Sequence, residues 1–196
     1  MMNKSNIVGI DFGSKLAGTT SACFFHDDKL HFESTKKGQD ADTMLNRFLQ
    51  SGVYKYVFID SPLSLPYAFY DTSSHNDYFY RNCDSELGAM SPMFLGGLTA
   101  RAIRLKNNLQ PQLDFYECYP GALAKRLNLQ EFGYKTEAIY INKCCKQLSE
   151  SYPHKLAKKP VNWHEFDALM AWHTGLRFLK NEAEKWGVEA EGIIYV

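Results

Sequence analysis

Apolar residues recur along this chain in two rhythms. Short β-branched runs bounded by turn formers read as strands, and apolar positions at i, i+3 and i+4 read as helices. Ile7, Val8 and Ile10 in "IVGIDFGS" predict a buried strand over 6–12. "GTTSACFFH" (18–26) and "KLHFEST" (29–35) predict two more, joined by the Asp-rich turn "HDDK". Met44, Leu45, Phe48 and Leu49 fall at helical spacing, with Asp40 placed to cap them. A fourth strand within "YKYVFIDSPLSLP" ends at Asp60 and is stopped by Pro62. Residues 95–109 and 136–151 predict helices on either side of a fifth strand, "QLDFYECYP", which ends at Glu117. "WHEFDALMAWHTGLRFLKNEAEKW" is the longest helical pattern, and "EGIIYV" is a short tail strand.

These elements predict an α/β layer architecture. Three strands joined by tight turns form an antiparallel meander. The fourth and fifth, reached through helical crossovers, run parallel to the first. The expectation is a mixed five-stranded sheet with flanking helices. A length of 196 residues predicts one domain, with a long insertion or lid at about 61–93, a stretch rich in Tyr, Ser, Asn and Asp.

Composition narrows the class. Hydrophobic residues make up 45% and aromatics 14%, which excludes a disordered chain. Lys plus Arg equals Asp plus Glu at 22 each, a balance that neither favours nor excludes nucleic acid. The apolar stretches are too short to span a bilayer, and "MMNKSNIV" lacks a leader's apolar segment. The five cysteines form no C-x-x-C pair, which predicts reduced thiols and a cytoplasmic protein.

In parallel sheets, ligands collect beyond the carboxyl ends of the strands. Asp11, Asp60 and Glu117 each terminate one of those strands. Singly, each is also a common turn starter. Asp167 lies on the longest helical pattern among Phe166, Ala168, Leu169 and Met170, with Ala171 and Gly175 beyond, which suggests a helix packed close to the sheet with its acid aimed at something. Four acids converging by chance is far rarer than any one turn.

This pattern resembles the RNase H-like fold, and more closely a family of predicted nucleases of that fold. The matching pieces span nearly the whole chain: "GIDFGS", "FIDSPLSLP", "RNCD" (81–84), "YECYP" (116–120), "HEFDAL" (164–169) and "EGIIYV". The resemblance implies a divalent-metal-dependent nuclease that cleaves phosphodiester bonds of a nucleic acid with Mg²⁺ or Mn²⁺. Two-metal sites hold their ions about 3.5–4 Å apart. On that pattern Asp11 bridges, Asp60 binds one ion and Asp167 the other. Glu117 is a fourth acid, at a position that departs from RNase H itself.

His164, three residues before Asp167, either serves water, phosphate or a proton, or is a helix-start histidine half in solvent. Arg81 can grip phosphate with Asp84 holding it, or the two can form a plain salt bridge. Lys135 can reach the same face. "HKLAKKP" (154–160) and the aromatics Tyr67, Phe69, Tyr70, Tyr78, Phe79 and Tyr80 offer backbone and base contacts, against solvated surface and lid packing. Two other readings compete. "GIDFGS" also resembles the first phosphate loop of the actin, heat-shock-protein and sugar-kinase ATPases, although no second such strand exit follows. The third is a non-catalytic binding module, which would have little use for clustered acids.

Overall fold

Alternation along the central strands decides which side of the sheet each residue serves. The computed structural model describes residues 4–71, 77–151 and 154–196. Its strands are β1 (Ile7–Asp11), β2 (Ser21–His26), β3 (Lys29–Ser34), β4 (Tyr56–Asp60), β5 (Asp114–Cys118), β6 (Lys185–Val188) and β7 (Gly192–Tyr195). They form one mixed sheet in the order β3-β2-β1-β4-β5-β7-β6. The meander β1–β2–β3 is antiparallel, and β4 runs parallel to β1 and β5 to β4.

Where a five-stranded sheet is expected, the described residues form seven strands. The last long helix stops at Leu179, before the predicted end at Trp186. Lys180, Asn181 and Glu182 supply no apolar face to prolong it, and Asn181 takes the left-handed conformation (φ 58°) that turns the chain. Lys185–Val188 then pairs antiparallel with β7, and β7 runs parallel to β5.

The helices are α1 (Ala41–Ser51), α2 (Asn82–Leu87), α3 (Pro92–Leu95), α4 (Gly97–Leu109), α5 (Pro120–Arg126), α6 (Ile141–Ser151) and α7 (Trp163–Leu179). Asp40 caps α1 as expected, accepting from Thr43 N at 3.0 Å. The helix expected over 95–109 is interrupted at Gly96, whose φ of 46° suits a residue without Cβ. The 61–93 connection carries a 3-10 turn (Tyr67–Phe69) and α2; its residues 72–76 lie outside the described ones.

Val8, Ile10, Val57 and Ile59 point into one core, which includes Leu45 and Leu49 of α1 and Leu105 of α4. Ile7 and Phe58 point the other way, into the core built on α5, α6 and α7. Helix α7 is the centre of that second layer, with every residue from Phe166 to Gly175 buried. A Cβ on Gly9 would stand 2.1 Å from Trp172 N and 2.4 Å from Ala168 O, so α7 lies directly on β1. All five cysteines are buried and free. Among the described residues no helix is long and apolar enough to cross a membrane.

Candidate metal centre

Asp11 and Asp60 close two adjacent parallel strands in register, each the other's neighbour across the ladder. With a side-chain period of two, both carboxylates leave the sheet on the face of Gly9 and Phe58, which is the α7 face. The close approach of α7 at Gly9 brings Asp167 over the same strand ends. One oxygen from each of Asp11, Asp60 and Asp167 lies within 4.8 Å of the others.

The three acids are held differently. His164 Nδ1 lies 2.7 Å from Asp11 Oδ2. Hydrogen bonding to that carboxylate raises the His164 pKa against the opposing effect of burial, so the ring is an N–H donor at this atom. Asp167, 2% exposed, accepts from Tyr134 Oη at 2.7 Å and pairs with Lys135 Nζ at 2.6 Å, one partner on each oxygen. Burial nevertheless pushes the Asp167 pKa up to about 6, with Lys135 pulling it down and Asp11 pushing it up. Asp60 accepts no hydrogen bond within the described residues. Burial first, then the Asp11 and Asp167 charges, drive its pKa well above the ordinary carboxylate range.

Asp11 and Asp60 line a cleft of about 320 Å³. Lys135, Ser61 and the apolar side chains of Phe12, Met90 and Leu98 also line it. The segment leaving β1 is fixed from several sides. Gly13 N donates to Thr20 Oγ1 at 3.0 Å and Ser14 N to Thr19 Oγ1 at 3.1 Å. Arg101 donates to Gly13 O at 3.0 Å, lies over the Phe12 ring, and forms a two-pronged pair with Asp42 of α1. A Cβ on Gly13 would meet Thr19 backbone at 2.4 Å, so only glycine fits.

Three expected site residues belong to a separate network. Glu117 pairs in register with Ile59 rather than Asp60, so alternation sends its carboxylate to the face opposite the three aspartates. There Arg81 holds both of its oxygens, at 2.6 and 2.7 Å, and Leu63 N donates to Oε2 at 2.9 Å. Arg81 is 0% exposed and also grips Asp84, through Nη2 at 2.6 Å and Nε at 3.0 Å. The structure thus places Glu117, Arg81 and Asp84 in a buried salt-bridge network, the plain pairing expected as the alternative for Arg81 and Asp84. Glu117 lines the cleft with Asp11 and Asp60 but is not drawn into the cluster of three aspartates. Burial opposes the Arg81 charge and raises the Glu117 pKa, but their hydrogen bonds hold Arg81 protonated far above neutrality.

No protein family, curated protein or solved structure matches the chain. The chemistry of the donor set is thus the guide to its ligand. Asp60 offers two oxygens and Asp11 one that accept no hydrogen bond among the described residues. The oxygens left open are hard carboxylate donors, and His164 Nδ1 is engaged to Asp11 Oδ2, so the set suits Mg²⁺ or Mn²⁺ rather than a soft ion. The residues present fit such an ion.

Of the remaining candidates, the "HKLAKKP" run contributes Leu156 as a bridge to Leu30 and Lys158 as a 2.9 Å partner of buried Glu165. Phe69 packs edge-on to Tyr78, and Phe79 and Tyr80 pack on Phe94, while all five remain partly exposed. Tyr134 and Arg101 hold Asp167 and the segment after β1 through contacts that the sequence pattern does not single out. The only local sign of Tyr134 is its place beside Lys135 in "GYKT".

Proposed function

We propose that this chain is a divalent-metal-dependent hydrolase of phosphodiester bonds, a nuclease on an RNase H-like fold acting on nucleic acid. The observation that carries this reading is the convergence of Asp11, Asp60 and Asp167 at the carboxyl ends of neighbouring parallel strands. The strand order β3-β2-β1-β4-β5, antiparallel on one side of β1 and parallel on the other, supports the fold assignment.

Mg²⁺ or Mn²⁺ bound there supplies Lewis acidity toward a phosphoryl group and lowers the pKa of water. The chain's own residues do the rest. Asp11 and Asp60 present the oxygens that hold the cation, and His164 fixes the orientation of Asp11 through Nδ1. The imidazole, with its side chain 44% exposed, is placed to take or give a proton where the cleft meets solvent. Lys135 offers a positive charge to the non-bridging oxygens of a phosphodiester. Phe12, Met90 and Leu98 give one side of the cleft an apolar wall.

A phosphate loop of the actin type would need free backbone N–H groups after β1. Those of Gly13 and Ser14 are already taken by threonine hydroxyls, which weighs against that alternative.

Hydrolysis assayed over a panel of single-stranded, duplex and branched nucleic acids should appear with Mn²⁺ and vanish with EDTA. Asp11→Asn should remove it while the protein stays folded, and His164→Ala should lower the rate about 10²-fold without abolishing it. Full activity in Asp11→Asn would sink the metal reading.

A further inference from the structure

We infer that the centre takes a single divalent ion per chain, on Asp11 and Asp60, and that the Lys135 ammonium occupies the role of the second cation. This rests on the metal reading above and deepens it. Two-ion sites need carboxylate oxygens enough to serve both ions. Here three of the six already accept a hydrogen bond or an ion pair, Asp11 Oδ2 from His164, Asp167 Oδ1 from Tyr134 and Asp167 Oδ2 from Lys135, so a second ion would have to share or displace those partners. The other three belong to Asp11 and Asp60, side by side on β1 and β4. Mg²⁺ keeps several waters and is commonly held by one or two carboxylates, so this set suffices for one ion.

Charge gives the same count. A bound cation favours the ionised carboxylates and the neutral His164 imidazole; the three acids would then carry three negative charges, of which Lys135 offsets one at 2.6 Å from Asp167. One divalent ion balances the remaining two. A second would leave net positive charge around a 2%-exposed aspartate, without oxygens to compensate it. Lys135 is also placed rather than merely nearby. It takes the left-handed conformation (φ 56°) directly after Tyr134, so consecutive side chains clamp the two oxygens of one carboxylate. Its side chain is 50% exposed and lines the cleft, so the ammonium stays within reach of an incoming phosphate.

Counting bound Mn²⁺ per chain, by calorimetric titration and by the spin-resonance signal of free Mn²⁺, tests this directly. Wild type should bind one ion. Lys135→Met should bind two, because the vacated Asp167 oxygen becomes a ligand, while Lys135→Arg should return to one. Two ions in wild type would overturn the inference and leave the metal reading standing, whatever the variants do. A single ion in a Lys135→Met protein with wild-type circular dichroism would overturn it too. No binding by wild type would reject both the inference and the reading it rests on.

Discussion

Asp167 is the most buried and the most heavily partnered of the three acids, and its energetics set a clear expectation. Between its ordinary value of 3.8 and its folded value of about 6, the native state binds more protons at Asp167 than the unfolded chain does. Its share of the stability therefore falls as pH rises through that window. Asparagine mimics the protonated form: it still accepts from Tyr134 and frees half-exposed Lys135 to turn to solvent. In metal-free buffer, Asp167→Asn and wild type should melt together near pH 4. By pH 8 the variant should melt higher, by roughly 3–6 °C, corresponding to about 1–2 kcal/mol. The difference between the two proteins is the quantity to measure. Burial and the nearby His154 hold the His173 pKa well below its ordinary value, which makes acid destabilising in both alike. A variant that melts lower at pH 8 would mean that the Lys135 pair outweighs the burial of the charge.

At the scale of elements, the contact of α7 with β1 makes the centre possible, and Gly9 permits it. Gly9→Ala would drive a methyl into the backbone of Ala168 and Trp172, which cannot yield without moving the helix. Urea unfolding should register a loss of more than about 3 kcal/mol. Gly97→Ala, at the start of α4 with nothing within 4 Å of the added carbon, should change little or stabilise slightly. Much of this layout is legible in the sequence. Asp11 and Asp60 follow β-branched or aromatic runs that can only be buried strands, and Asp167 interrupts an apolar helix. What the sequence hides is non-local. The face on which Glu117 falls depends on a one-residue register between β4 and β5, and Arg81 finds it from 36 positions away. Tyr134 reaches Asp167 from 33 positions away, through a loop whose path no local periodicity encodes. Strand β6 follows a polar turn, and its Trp186 is easily absorbed into the preceding helical pattern.

Over the whole molecule, the centre joins segments that are distant along the chain: His164 and Asp11 meet across 153 positions. The meander β1–β2–β3 is joined by tight local turns, whereas α7 meets β1 only across a long stretch of intervening chain. Loops of that length make native pairing slow relative to hairpin closure. The carboxylates of the proposed cation site therefore meet only through that long-range contact, and an ion bound there would act on the native basin. Added Mg²⁺ should slow unfolding in proportion to its occupancy while leaving the refolding rate within about twofold. Trp163 and Trp172 on α7 provide the stopped-flow fluorescence signal. An equal effect on refolding would mean that the acids already meet in the transition state. Because the covering helix is also the centre of one core layer, the three acids cannot part without opening that core, so the arrangement should last as long as the native fold itself.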